Sequence, residues 1–213
     1  MSKYINVRAY ENLQHMIYDG VGEYDIPEIK ATQFVGEPEF VGFNYASTAS
    51  NRQDKAVHFF IDDYQFERLW RDVNRYTEML SQFKYVMTPD FSTYTDFPKA
   101  IQIYNHYRKH WVGRYLQDYG CKVIPTISWS DKESFAWCFD GEPEGGTVAV
   151  SSVGCSKNKQ AKELFLNGYN EMIERLHPES IIFYGEVPKE CSGNIVKIKA
   201  FQDKFRKAVC NGW

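Results

Sequence analysis

The chain has 213 residues, of which 43% are hydrophobic and 25% are charged, an ordinary composition for a globular protein. At this length one domain is the expectation, with about 70% of the unfolded chain's surface buried on folding. The formal net charge is −3, whereas proteins that bind nucleic acid through its phosphates usually carry an excess of basic residues. Non-specific nucleic-acid binding is therefore disfavoured.

Cysteine usage and polarity predict a reduced, cytoplasmic protein. The five cysteines form no CxxC pair, and a polar segment at residues 1–10 stands where a signal peptide would be. No apolar run approaches the roughly 20 residues that a membrane span needs. His106 and His110 lie four residues apart on a predicted helix, but Arg108 and Lys109 beside them are typical of a solvated face. Neither a metal nor another cofactor is therefore expected.

Short apolar runs alternate with amphipathic stretches from residue 56 onward, which predicts alternating strands and helices, and an earlier strand at 40–44 joins the same sheet. The predicted strands are 40–44, 56–61, 85–87, 122–127, 147–151 and 180–184, with an edge strand at 195–199. The predicted helices are 66–83, 97–119, 131–138, 158–176 and 201–209. We interpret residues 1–213 as one α/β domain, with a packing arm (1–35), a β/α core (36–187) and a C-terminal segment (188–213).

This alternation predicts mainly parallel strands with helices outside, because a parallel pair needs a long crossover. Six or seven strands predict a small or incomplete (β/α) barrel of the TIM-barrel type, and an open doubly wound sheet is the alternative. Both architectures bind ligands at the carboxyl ends of their strands. The residues that follow each strand are therefore the candidate site residues.

Three carboxylates at these strand ends are candidate catalytic groups, namely Asp90, Asp62 and Glu186. Asp90 follows Pro89, which restricts the turn, and it lies too far from the next helix to cap it. Glu186 has no confident helix to cap, and Asp62 comes one position too early if Asp63 is the cap. Carboxylates that face one mouth would have their pKa values separated by burial and mutual repulsion, which suits acid–base catalysis.

Other polar and aromatic residues at the strand ends are candidates for binding a substrate. They are Asn44, Ser92, Tyr94, Ser128, Trp129, Ser151 and Tyr184. The aromatic members among them can stack on a sugar or base ring. Capping explains other residues better, since Ser130 and Glu133 form a capping-box pattern and Ser156 precedes a predicted helix.

Several familiar signatures are absent from the sequence. There is no GxGxxG, P-loop, HExxH or GxSxG motif. This argues against the common dinucleotide-binding, ATP-hydrolysing, zinc-protease and α/β-hydrolase chemistries.

Five segments of the sequence are specific as a set, namely 57–70, 88–92, 124–129, 148–152 and 167–172. Together they resemble a family found in Gram-positive bacteria, their phages and mobile elements, known as domain of unknown function 4417. The resemblance covers about residues 25–187 and includes the strand ends nominated above. It implies a phage or mobile-element accessory protein in the cytoplasm of a bacterial host cell, and it assigns no activity.

The sequence supports two functional hypotheses, which belong to different classes of protein. The first is an enzyme that acts on a sugar- or nucleoside-type small molecule through carboxylate acid–base chemistry. The second is a non-enzymatic binding protein that targets a host protein or a nucleotide. A deep pocket with converging carboxylates favours the enzyme, whereas a filled mouth and an outer apolar patch favour the binding protein.

Overall fold

The computed structural model describes residues 10–155 and 157–198. The strands are β1 (Gly20–Val21), β2 (Ile26–Pro27), β3 (Glu39–Gly42), β4 (Lys55–His58), β5 (Tyr85–Met87), β6 (Val123–Ile124), β7 (Thr147–Ser151), β8 (Ser180–Tyr184) and β9 (Ile195–Ile198). The α-helices are α1 (Phe43–Ala46), α2 (Glu67–Arg71), α3 (Val73–Leu80), α4 (Lys99–Asp118) and α5 (Lys159–Leu176). Short 3-10 helices cover Arg52–Asp54, Asp63–Gln65 and Lys132–Ala136. The predicted helix at 201–209, Cys210 and the predicted cap Ser156 lie outside the described residues.

Two parallel sheets carry the fold. One has the order β3-β4-β5-β6 and the other β7-β8-β9. A single parallel bridge between Thr126 and Ala149 connects the end of the first sheet to the start of the second. The predicted α/β class with mainly parallel strands is confirmed. Among the described residues β3 and β9 do not pair, so no closed barrel is found.

The central strands are apolar on both faces, as expected for parallel strands covered by protein on each side. β5 and β8 are buried along their whole length, and β7 is buried except for its last residue.

The predicted helix 66–83 is interrupted at Asp72, whose φ of −142° and ψ of 64° are not helical. None of the described helices is long and apolar enough to cross a membrane.

The longest helix, α4, is buried on nearly every side, and the solvated face predicted around His106 and His110 is wrong. His106, Arg108, Lys109 and His110 are all buried. The reason is tertiary, because the segment that ends at β2 covers this side of the helix. The Nε1 of Trp111 donates to the carbonyl of Met16 at 3.1 Å, which fixes that segment against α4.

Helix capping also differs from the sequence prediction. Asp131, not Ser130, occupies the N-cap of the 3-10 helix Lys132–Ala136, and its carboxylate accepts from the backbone N–H of Ser134 at 3.0 Å. The Oγ of Ser130 is buried, and within the described part of the chain it has no hydrogen-bond partner. Glu133 pairs with Lys99 instead of closing a capping box.

Replacing the true cap should therefore cost stability, while replacing its neighbour should not. We expect Asp131→Ala to lower the free energy of unfolding by about 1 kcal/mol, the usual cost of losing an N-cap. Ser130→Ala should be neutral or slightly stabilising, because it removes a buried hydroxyl without a partner. Urea unfolding of both variants measures this, and a larger loss for Ser130→Ala would contradict the assignment.

Candidate functional site

Asp90 lies in the loop that follows β5, at the junction with β6. Two hydrogen bonds join the strand ends here, from Thr126 N to Thr88 Oγ1 at 2.8 Å and from Thr126 Oγ1 to the carbonyl of Thr88 at 3.0 Å. Asp90 is half-buried, since part of its surface is exposed to solvent. The dense protein around it raises the pKa of its carboxyl to about 7, against the opposing charge of Lys109 and with a further contribution from Asp63.

A buried lysine lies behind this strand end. Lys109 is 1% exposed, and its ammonium donates to the carbonyl of Thr126 at 2.9 Å and to Oε1 of Glu142 at 2.6 Å. Burial opposes ionisation of Glu142, but the charges of Lys109 and His110 outweigh it and hold the pKa of that carboxyl below its usual value. The lysine thus ties α4 to the end of β6 and to the turn that precedes β7.

Two histidines of α4 complete this buried cluster. His110 lies with Nδ1 2.9 Å from the carbonyl of Pro27 and Nε2 3.0 Å from Oε1 of Glu142. His106 lies with Nε2 3.0 Å from the carbonyl of Asp140. Burial, together with the nearby Lys109 and His110, holds the pKa of His106 well below its usual value, so this ring is neutral at neutral pH.

The turn that carries Glu142 requires a glycine. Gly141 has a φ of +74°, and a Cβ at this position would lie 2.6 Å from the carbonyl oxygen of Pro27 and 2.8 Å from Nδ1 of His110. Its carbonyl also accepts from the backbone N–H of Ile29 at 2.9 Å. The close approach of three backbone segments therefore depends on the missing side chain.

A second network clamps the loop that contains Asp90. Asp63 accepts from both the N–H and the Oγ of Ser92, at 2.9 and 2.8 Å, and Asn105 Nδ2 donates to the carbonyl of Ser92 at 2.7 Å. Arg108 bonds Asn105 at 2.6 Å and pairs with Glu67 at 2.9 Å. The expectation that Asp63 caps a helix is wrong, because its carboxylate is used to hold this loop.

The other two predicted carboxylates lie at the surface. Asp62 is exposed, and its Oδ2 accepts from Gln65 Nε2 at 3.4 Å. Glu186 has a side chain that is 78% exposed and pairs with Lys197 at 2.7 Å. They remain predictions as catalytic groups, and only Asp90 of the three lies in dense protein.

Tyr184 lies at the end of β8 and contacts residues of a distant strand. Its ring centroid is 5.2 Å from that of His58, in β4, and 4.8 Å from that of Phe60. Since β4 and β8 are four positions apart in the strand order, the two sheets curve toward each other here. Aromatic rings occupy the space between them.

The remaining predicted binding residues lie in different surroundings. Trp129 packs on α5, where a Cβ on Gly168 would come within 2.2 Å of its Cε2 atom. The Oγ of Ser151 accepts from the backbone N–H of Val153 at 3.2 Å, while Ser128 is half-buried. Asn44 is half-buried too, and within the described residues its buried Oδ1 has no hydrogen-bond partner.

Three tyrosines line the outer surface near the same strand ends. Tyr94 is 62% exposed, and the sequence predicted it as a binding residue. Tyr45, which follows β3, and Tyr64, which follows Asp63, are 56% and 79% exposed. These two are not among the residues predicted from the sequence, although Tyr45 directly follows the candidate Asn44 and Tyr64 lies two residues after the candidate Asp62.

A cleft of about 580 Å³ lies elsewhere, between the outer edges of β3 and β9. It is lined by Phe34, Phe40, Ser180, Asn194 and Lys197 among others. Ser180 is the first residue of β8 and Asn194 precedes β9, so this cleft opens toward the starts of the strands rather than their carboxyl ends.

Comparison with known proteins places the chain among phage sequences. The family described as Domain of unknown function (DUF4417) matches residues 18–202. The "Gene 1 protein" of Mycobacterium phage L5 is 38% identical over 205 residues, covering 91% of this chain and 86% of that protein. The "Gene 1 protein" of Mycobacterium phage D29 is 34% identical over 207 residues, covering 93% of this chain and 75% of that protein. No solved structure matches the chain significantly.

The raised pKa of Asp90 should be visible in the pH dependence of stability. Because the folded state keeps the proton to about pH 7 and the unfolded state releases it near pH 4, the contribution of Asp90 to the free energy of unfolding falls as the pH rises through this interval. Asp90→Asn cannot ionise. Its stability relative to wild type should therefore rise by about 2–3 kcal/mol between about pH 5 and about pH 8.

Denaturant unfolding at the two pH values measures this difference. Asp62→Asn, which neutralises the exposed carboxylate of the neighbouring strand end, is the matched control. A stability difference between Asp90→Asn and wild type that is the same at both pH values would contradict a raised pKa.

Proposed function

The chain belongs to the DUF4417 family, and we propose that it is a phage or mobile-element accessory enzyme that performs acid–base chemistry on a sugar- or nucleoside-type small molecule. The observation that carries this proposal is the carboxyl of Asp90 at the end of β5, with a pKa of about 7. A group with this pKa is present in both protonation states at neutral pH, which is the condition for efficient general acid–base catalysis.

The surroundings of Asp90 support a catalytic role. The nearby charge of Lys109 lowers the pKa of Asp90, while burial raises it more strongly. The hydrogen bonds between Asp63, Ser92 and Asn105 fix the following loop. A catalytic group needs such support, because a displacement of about 1 Å can lower the rate about 100-fold.

The fold that we propose around this site is an incomplete (β/α) barrel. The strands follow one another in chain order without the reversal that defines a doubly wound sheet. The contacts of Tyr184 with His58 and Phe60 also favour a curved arrangement over an open one. In a barrel, catalytic groups lie at the carboxyl ends of the strands, which agrees with the place of Asp90.

The class of substrate is proposed from the exposed aromatic residues. Tyr45, Tyr64 and Tyr94 are exposed on the segments that follow β3, β4 and β5. Exposed tyrosine rings are suited to stacking on a sugar or a base. Asp62 and Glu186 are the surface carboxylates available as a second acid–base group, as cleavage of a glycosidic bond requires.

A non-enzymatic binding protein is the second candidate function. His58, Phe60 and Tyr184 fill the space between β4 and β8, and the 580 Å³ cleft lies toward the other end of the strands. On this proposal the exposed tyrosines contact a host protein or a nucleotide. We place either activity in the cytoplasm of the bacterial host, which the phage relatives and the cysteine usage support.

A ligand screen followed by one substitution separates the two functions. Sugars, nucleosides and nucleotides are tested for thermal stabilisation of the full chain, since a ligand at 100 times its Kd adds about 2.7 kcal/mol. For the compound that binds and is converted, we expect Asp90→Asn to abolish turnover and to preserve binding, because it keeps hydrogen-bonding capacity and removes proton transfer.

The control is Asp54→Asn, which neutralises an exposed aspartate immediately before β4, at the opposite end of that strand. Turnover should be unchanged in this variant. If a compound binds, no product forms, and Tyr64→Ala or Tyr94→Ala weakens its binding while Asp90→Asn has no effect, the enzyme proposal fails and the binding protein is favoured.

A further inference from the structure

The buried cluster between α4 and the turn before β7 has the composition of a metal site. Nitrogen atoms of His106 and His110 and a carboxylate oxygen of Glu142 all lie within 4.8 Å of one another. The two histidines are 2% and 0% exposed, and the side chain of Glu142 is 0% exposed. The cluster is therefore not a solvated surface cluster, and its buried polar atoms need hydrogen-bond or metal partners.

Both imidazoles are oriented as metal ligands are. The carbonyl of Pro27 can only accept, so Nδ1 of His110 donates to it at 2.9 Å, and Nε2 of His106 likewise donates to the carbonyl of Asp140 at 3.0 Å. In a neutral ring the other nitrogen then carries a free lone pair. Ligating histidines characteristically donate their second N–H to a backbone carbonyl or a carboxylate in this manner.

Two atoms of the cluster have nothing to bind within the described residues. They are Nδ1 of His106 and Oε2 of Glu142, and both are buried. A buried polar atom without a partner costs free energy, so native proteins supply one. A cation that accepts lone pairs from nitrogen and oxygen would satisfy both atoms at once.

The contact between His110 and Glu142 leads to the same conclusion. Nε2 of His110 is 3.0 Å from Oε1 of Glu142. When Nδ1 is the donor to Pro27, a neutral ring places a lone pair against a carboxylate oxygen, which is repulsive. A second proton on His110, or a cation bound by Nε2 of His110 and by the carboxylate of Glu142, removes this repulsion.

We propose that His106, His110 and Glu142 bind one zinc ion, which ties α4 to the turn that precedes β7. Two imidazoles and one carboxylate form a set that zinc uses with a water as fourth ligand. Zinc bonds of about 2.0–2.1 Å place tetrahedral ligand atoms about 3.4 Å apart, so the widest separation in the cluster, at most 4.8 Å, closes by up to about 1.4 Å on binding. Magnesium and calcium prefer sets made of oxygen alone.

Lys109 leaves room for this ion. Its ammonium bonds Oε1 of Glu142 at 2.6 Å and the carbonyl of Thr126 at 2.9 Å, whereas Oε2 stays available. The carboxylate of Glu142 therefore binds Lys109 through Oε1 and leaves Oε2 to bind the metal. The ion is separate from the acid–base chemistry proposed for Asp90, and it contributes to the rigidity of α4.

Metal uptake by the full-length protein tests the proposal directly. The protein is stripped with a strong chelator, dialysed and returned to zinc or cobalt(II). We expect one zinc per chain, a higher midpoint of thermal unfolding, and for cobalt the intense visible bands of a tetrahedral site. If the wild-type protein takes up no stoichiometric metal and shows no such bands, the proposal is overturned. A protonated His110 then explains the contact of its Nε2 with Glu142.

Matched variants identify the ligands. His106→Gln keeps a donor for the carbonyl of Asp140 but removes the ligating nitrogen, and Glu142→Gln keeps an acceptor for Lys109. Both should lose the stoichiometric metal and the cobalt bands. His177→Gln, at an exposed histidine paired with Glu144, should retain them. Uptake by His106→Gln equal to that of wild type would assign the metal to other residues. Asp90→Asn should bind zinc normally, so this result is independent of the catalytic proposal.

Discussion

The buried ammonium of Lys109 is the constraint on which the rest of this structure depends. A lysine that is 1% exposed is tolerated only when its charge is paired and its protons are bonded, since burial of an uncompensated charge costs several kcal/mol. Glu142 and the carbonyl of Thr126 meet this need. Because these partners lie on different elements, satisfying one side chain fixes the positions of α4, the end of β6 and the turn before β7.

The helix α4 also holds the candidate site in place. Arg108, next to Lys109, pairs with Glu67 and bonds Asn105, which in turn holds the carbonyl of Ser92. This chain of contacts fixes the loop after β5 in which Asp90 lies. The charges buried along α4 thus support the site mechanically, and the charge of Lys109 also acts on Asp90 itself. Stability and site chemistry share one set of residues here.

The burial of α4 on nearly every side also explains where sequence reasoning failed. Lys109 and His110 have the composition of a solvated face, and only the segment that ends at β2 turns that face into an interior. Ile101, an apolar residue of the same helix, is 45% exposed. Charge and hydropathy predict exposure on average, but a covering segment more than 80 residues away along the chain is not visible in a local pattern.

The sequence by itself determined the main parallel strands, the two long helices and their order. Short, largely apolar runs such as Thr147–Ser151 and Ser180–Tyr184 indicate strands covered on both faces, and their alternation with long helices favours parallel pairing. It also nominated Asp90, because strand ends are local features. Only the tertiary structure decided that Asp90 lies in dense protein with a raised pKa, that Asp62 and Glu186 lie at the surface, and that Glu142 meets two histidines. Those properties depend on distances between segments remote in the chain, and long-range packing alone sets such distances.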